Sequence, residues 1–156
     1  MSKERAKAYL DKYNMGDRIR EFDVSSATVK DAAIALNCEE KRIAKTLSFL
    51  VDDKPILIVT AGDTKTSNSK YKSYFHTKAK MIPADMVTDL IGHPIGGVCP
   101  FGVNDGVEIY LDESLKRFET VFPACGETNN AIELTIGELE QVTNYKVWID
   151  VSEIKE

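Results

Sequence analysis

Apolar positions recur along the chain with two different periods, and the switches between them mark out its elements. Near the start, Ala6, Tyr9, Leu10 and Tyr13 stand three and four residues apart, the spacing of one helical face, and Gly16 lies past the end of that run. The segment "RIREF" (18–22) predicts a short strand. In "SSATVKDAAIALN" (25–37), Val29, Ala32, Ala33 and Leu36 return to helical spacing behind Ser and Thr caps. This predicts a second helix from Thr28, with Asp31 closing a capping box.

The clearest β signal comes next: "KTLSFLV" (45–51), the turn "DDK" and "PILIVTA" (55–61). Leu47, Phe49 and Val51 share one face of the first arm by the two-residue period. The second arm is apolar on both faces, so it belongs inside a sandwiched or closed sheet. Further along, 67–75 and "PADMVTDLI" (83–91) predict helices, the latter opened by Pro83 and stopped by Gly92. "KAKMI" (78–82), "GVEIYLD" (106–112), "ETVFPA" (119–124) and "NNAIELT" (129–135) predict strands, with "SLKRF" as a helical turn. Thr135 begins T-x-x-E with Glu138, a capping box for a last helix reaching about Val142. Strands and helices alternate without a regular βαβ rhythm. That favours an α+β fold with a mixed, mostly antiparallel, partly closed sheet. With no repeat, low-complexity segment or linker, residues 1–156 read as a single domain.

Composition narrows the function. At 156 residues, 43% hydrophobic and 29% charged, the chain can bury a substantial core. No window approaches the roughly 18 consecutive apolar residues of a spanning helix, and "MSKERAKAYL" lacks a secretory apolar core. A cytoplasmic protein without a membrane segment is expected. Cys38, Cys99 and Cys125 are far apart with no CxxC, so reduced thiols are expected. His76 and His93 cannot supply a zinc motif, and neither a metal nor another cofactor is expected.

A net charge of −5 argues against a general electrostatic grip on nucleic acid. One local patch departs from it. Over residues 65–80, Lys65, Lys70, Lys72, Lys78 and Lys80 alternate with Tyr71, Tyr74 and Phe75 and no acid intervenes. This composition suits phosphate contacts beside stacked bases, and it equally suits a solvated lysine face whose aromatics turn inward.

Several residues could carry chemistry. Lys45 shares the parity of Leu47 and Phe49 at the start of its strand, where it either snorkels to solvent or enters a cleft. Gly96, Gly97 and Gly102 bracket Cys99 and Pro100 in "GGVCPFG". Such a segment can be a plain loop, or a main-chain surface able to hold an oxyanion. Cys99 with His93 invites a nucleophile and base, against the commoner reading of a thiol packed beneath a loop. Asp63, after "VTAG", either binds a polar ligand or caps a turn, and Glu138 already has a capping job.

Taken together, "RIAKTLSFLV", "PILIVTAGD", "GHPIGGVCPFG" and "FPACGETNNAIELTIGEL" resemble the YbaK/EbsC family over about residues 20–150. That family comprises free-standing aminoacyl-tRNA deacylases and the editing domain inserted in bacterial prolyl-tRNA synthetase. The resemblance implies a barrel-like mixed sheet flanked by helices, with a pocket for the aminoacylated end of tRNA. The family's lysine falls on Lys45, and its G-x-x-x-P loop on Gly96 and Pro100 with Gly97, Val98 and Cys99 between. The late glycine falls on Gly126, and the acid of the last helix on Glu138 where several relatives have Asp. Phe22 and Asp63 join these two in the expected substrate-binding set, and Lys65, Lys70 and Lys72 of the basic patch are the expected RNA contacts. The strand end "REFDVSS" lacks a histidine that some members carry there.

The implied reaction is hydrolysis of a small mischarged amino acid from tRNA, most readily tRNA(Pro), acting in trans with prolyl-tRNA synthetase as the candidate partner. Main-chain donors of the loop and the substrate's own hydroxyl or thiol would assist, with no protein nucleophile. The alternatives are a non-catalytic module of the same fold that binds an RNA end or aminoacyl ligand, and a Cys99-dependent hydrolase of small esters.

Overall fold

The computed structural model describes residues 2–155. Helix α1 (Ser2–Asp11) leads through a 3-10 turn to β1 (Arg20–Glu21), and helix α2 (Val29–Leu36) leads to the hairpin of β2 (Ile43–Val51) and β3 (Lys54–Ala61). There follow β4 (Thr64–Thr66), α3 (Asn68–Phe75) and α4 (Val87–Ile91). The last third contains β5 (Glu108–Asp112), β6 (Thr120–Pro123), β7 (Asn130–Ala131), β8 (Leu134–Thr135), α5 (Ile136–Thr143), β9 (Val147–Ile149) and β10 (Ser152–Ile154).

Six strands form the central sheet in the order β8-β6-β2-β3-β5-β9, and this sheet curls into a half-barrel. Its mixed character follows from the connections. β2 and β3 are joined by a two-residue turn and pair antiparallel, from Ala44 with Ala61 to Val51 with Lys54. Asp52 and Asp53 both take positive φ (51° and 65°), the conformation that matches a two-residue turn to the twist of its strands. β5 and β6 arrive by longer crossovers and lie parallel to β3 and β2 respectively. Counting the side pairs β1 with β7 and β4 with β10, four pairings are antiparallel and three parallel.

The predicted two-sided burial of the second hairpin arm holds. Ile56, Leu57, Ile58 and Val59 of β3 are each at most 1% exposed, and burial of side chains of this size contributes about 1.5–3 kcal/mol apiece. On one face Leu57, Val59 and Ala61 pack with Ala6 and Leu10 of α1, Ile91 of α4 and Leu139 of α5. On the other, Phe49, Ile56 and Ile58 pack under Tyr71 of α3, with Phe75 against them. A small third cluster joins Ala32 and Ala33 of α2 to Ile43 and Phe122.

The caps follow the expected chemistry with one difference. Thr135 and Glu138 form the complete box that opens α5. Thr28 caps α2 by accepting from the Asp31 amide at 3.1 Å, but the shorter Asp31 side chain returns no bond to the Thr28 amide.

Other elements differ in extent. "KAKMI" is not a strand but a single bridge, Met81 opposite Phe49. "RIREF" shrinks to Arg20–Glu21, and "NNAIELT" splits into β7 and β8. The short strands β4, β9 and β10 have no counterpart in the hydropathy pattern. Three-residue strands are too short to show a period, and their place is set by long-range ties such as buried Asp112, which accepts from the Val151 amide (2.9 Å) and the Ser152 hydroxyl (2.6 Å).

Candidate active site

A cavity of about 410 Å³ lies along one edge of β2, and the ladder explains why it is there. β6 pairs with β2 only at Ile43 and Ala44. Farther on, the same edge is covered by residues 80–82, through Leu50 N–H to the Lys80 carbonyl (2.8 Å) and Ile82 N–H to the Ser48 carbonyl (3.1 Å). Between these partners the edge is open, so side chains of both parities line the space: Ile43, Lys45 and Leu47 as well as Ala44, Thr46 and Ser48. α2 contributes Val29 and Ala32, the 82–87 segment Ile82 and Val87, and the glycine-rich loop Ile95, Gly96 and Val98. Phe122, Ala124 and Asn130 close the remaining side.

Lys45 is the one charged residue among those lining the cavity, and the rest are apolar or neutral. It is half-buried, and its ammonium donates to the Thr64 main-chain carbonyl. An ammonium has three N–H groups, so two remain for a ligand. Burial, and then the neighbouring Lys155 charge, lower its pKa to about 8, with Asp63 opposing the shift.

The loop is shaped by close backbone approach. Gly96 has φ +87°, a region that penalises any side chain. A Cβ on Gly97 would stand 2.6 Å from the Glu127 nitrogen and from the Gly126 carbonyl carbon, so Gly97 is where the loop lies flat on the 126–127 backbone. The Gly97 amide is already given to the Pro94 carbonyl at 3.0 Å. Gly96 and Val98 therefore face the cavity, Gly97 and Cys99 are buried, and Pro100 borders a separate cavity of about 460 Å³ with Arg5, Tyr9 and Lys12.

Cys99 is fully buried, and burial pushes its thiol up to about 12. His93 is buried as well, and both ring nitrogens are engaged: Nε2 with the Phe101 carbonyl (2.7 Å) and Nδ1 with the Ser2 hydroxyl (2.5 Å). Desolvation holds the imidazole below its usual pKa. A thiolate and a free base are thus both disfavoured here.

The remaining expected site residues lie elsewhere. Asp63 is clamped by Arg117 through two bonds of 2.6 and 3.1 Å, which lower its carboxyl pKa. Glu138 is gripped by Arg18 at 2.6 and 3.0 Å while it caps α5, and its pKa falls to about 2. Phe22 is half-buried and tied to Asn129 through its main chain. Gly126 supports the loop from below rather than lining the cavity. Lys65 pairs with Glu153 and Lys70 with Asp150, Lys72 is exposed, and Tyr71 and Phe75 belong to the core cluster under the sheet. Thr46, Ser48, Phe122 and Asn130 line the cavity without having been singled out in the sequence. The available signal was the break in the ladder, which hydropathy does not encode.

The curled mixed sheet flanked by helices is a fold shared with solved relatives. The family described as "Aminoacyl-tRNA editing domain" matches residues 24–142, and the chain belongs to it. The YwhH protein of Bacillus subtilis (strain 168) is 49% identical over 152 residues, covering 97% of each chain. Proline–tRNA ligase of Leuconostoc mesenteroides is 28% identical over 87 residues, 55% of this chain but 15% of the ligase. Among solved structures, a protein described as a candidate trans-editing enzyme for prolyl-tRNA synthetase superposes with a TM-score of 0.87 at 29% identity, covering 97% of each chain.

Proposed function

We propose that this protein is a free-standing aminoacyl-tRNA deacylase that removes a small mischarged amino acid, with tRNA(Pro) as the favoured carrier. The observation that carries the reading is the convergence of Lys45 with Gly96 and Val98 on one largely apolar cavity. Lys45 holds the terminal phosphate or ribose, and the loop side receives the ester. Because the Gly97 amide is already spent, positioning is given more of the catalysis than a full set of loop donors. The attacking group is water, assisted by the substrate's own hydroxyl or thiol. Editing is needed physically because a synthetase discriminates by only about 1–3 kcal/mol between amino acids that differ by a methylene. The protein works in the cytoplasm on the acceptor end and draws further affinity from prolyl-tRNA synthetase.

The test is a deacylation panel of Cys-, Ala-, Ser- and Pro-tRNA pairings, with the Cys99→Ala variant in parallel. Turnover of at least one small mischarged pairing is expected, with Cys99→Ala within about tenfold of the parent because the thiol is buried. Binding without turnover would transfer the reading to a non-catalytic module. A loss of several orders of magnitude in a folded Cys99→Ala would restore the thiol hydrolase.

A further inference from the structure

The break in the β2 ladder leaves main-chain groups on one edge without a partner. Residues of a strand alternate in which edge their N–H and C=O face. The Ser48 carbonyl and Leu50 amide face residues 80–82, so the amide and carbonyl of Thr46 face that same edge. There they fall between the end of the β6 pairing at Ala44 and the start of the 80–82 cover at Ser48. Among the described residues neither group has a hydrogen-bond partner, nor does the next amide on this edge, that of Ser48, and Thr46 is the residue with both its amide and its carbonyl open to the cavity.

We infer that the Thr46 main chain is the recognition site for the amino-acid part of the substrate: its carbonyl accepts from the α-ammonium and its amide donates to the ester carbonyl. This rests on the deacylase reading above. An aminoacyl group carries an ammonium and a carbonyl on one carbon, and so can exchange the same two bonds with Thr46 as a facing residue in an antiparallel pair.

The length of the gap decides the class of ligand. A peptide would continue along the edge and meet β6 on one side and residues 80–82 on the other, whereas a single aminoacyl group fits between them. The charge of the cavity points the same way. With no carboxylate among the lining residues, an incoming ammonium must be met by neutral acceptors, and the Thr46 carbonyl is an unused one. Lys45, adjacent in the chain, is the residue to which the deacylase reading gives the terminal phosphate or ribose, and it lines the same cavity. The Thr46 amide also adds a donor to the ester oxygen where the Gly97 amide is unavailable.

The experiment uses the whole protein labelled with nitrogen-15 and a non-hydrolysable probe, alanine joined by an amide to 3′-amino-3′-deoxyadenosine 5′-phosphate. The Thr46 amide resonance is expected to shift on titration together with Gly96. A lactyl analogue, with hydroxyl in place of ammonium, is expected to bind about tenfold more weakly or worse, since a charge-assisted bond is lost. Shifts confined to the loop, with equal affinity for both probes, would overturn the Thr46 assignment and leave the deacylase reading standing. Failure of both probes to bind would overturn the two together.

Discussion

At Lys45 a charge has been placed where burial works against it, and the consequence is a proton lost near physiological pH. Its pKa of about 8, against the usual 10.5, means that a growing fraction is neutral above pH 8. For stability the sign is set by the lowered folded value: the penalty is present below about 8 and is relieved as pH rises toward 10.5, so removing the charge does not destabilise the protein at pH 7. Lys45→Ala should therefore leave the circular dichroism spectrum unchanged while lowering kcat/KM by roughly 10- to 100-fold, the worth of a charge-assisted bond. On the deacylase reading, the parent protein's rate, corrected for spontaneous hydrolysis, should fall as pH rises through about 8, and this limb should vanish in the variant. A limb that persists without Lys45 would show that the ammonium is not the group being titrated. Strand parity left Lys45 either snorkelling to solvent or entering a cleft, and it lines the cavity; its bond to the Thr64 carbonyl was not legible, because β4 has no hydropathy signal.

The helix α5 shows how one side chain can serve two elements. Glu138 completes the capping box at its N-terminus and also holds Arg18 from the 3-10 turn after α1, tying two distant parts of the chain together. Its folded pKa of about 2 lies below the unfolded value of 4.5, so its contribution is fully present above pH 4.5 and is lost as pH falls toward 2. The side chain is 27% exposed, and solvent screening reduces the gain accordingly. Glu138→Gln should cost about 1 kcal/mol in denaturant unfolding at pH 7, with parent and variant converging near pH 2. Deacylation at pH 7 should be unaffected, because this carboxylate is outside the cavity. A fall in rate with stability intact would return Glu138 to the substrate site implied by resemblance.

For the molecule as a whole, the deacylase reading asks how an acidic protein would hold a polyanion. The net charge is −5, and two of the three lysines expected to touch RNA are paired with acids. Of the patch's aromatics, Tyr71 is in the core, tilted against Phe49, and Phe75 packs against it, T-shaped to Tyr110, so that Tyr74 is the exposed ring of the three. Recognition should therefore be confined to the acceptor end. An aminoacylated minihelix should be deacylated within about threefold of the rate for full-length tRNA, with a shallow dependence on salt. A steep salt slope, or a minihelix far worse than tRNA, would establish a broader basic surface.

What could be decided locally was legible before the structure: the β2–β3 hairpin, its two-sided burial, the α5 capping box and the glycine-rich loop all follow from residues within a few positions of one another. The family resemblance added Lys45 and the loop as partners. The cavity itself had no such local signature. It exists because β6 leaves β2 after Ala44 and residues 80–82 take up the same edge only at Ser48, and where two distant segments stop is settled by packing across the whole core. The same long-range packing turned Tyr71 inward, gave Asp63 to Arg117 and Glu138 to Arg18, and left the Thr46 main chain facing open space. Short-range periodicity specifies which face of an element is apolar, but not which neighbour covers it or where that cover ends.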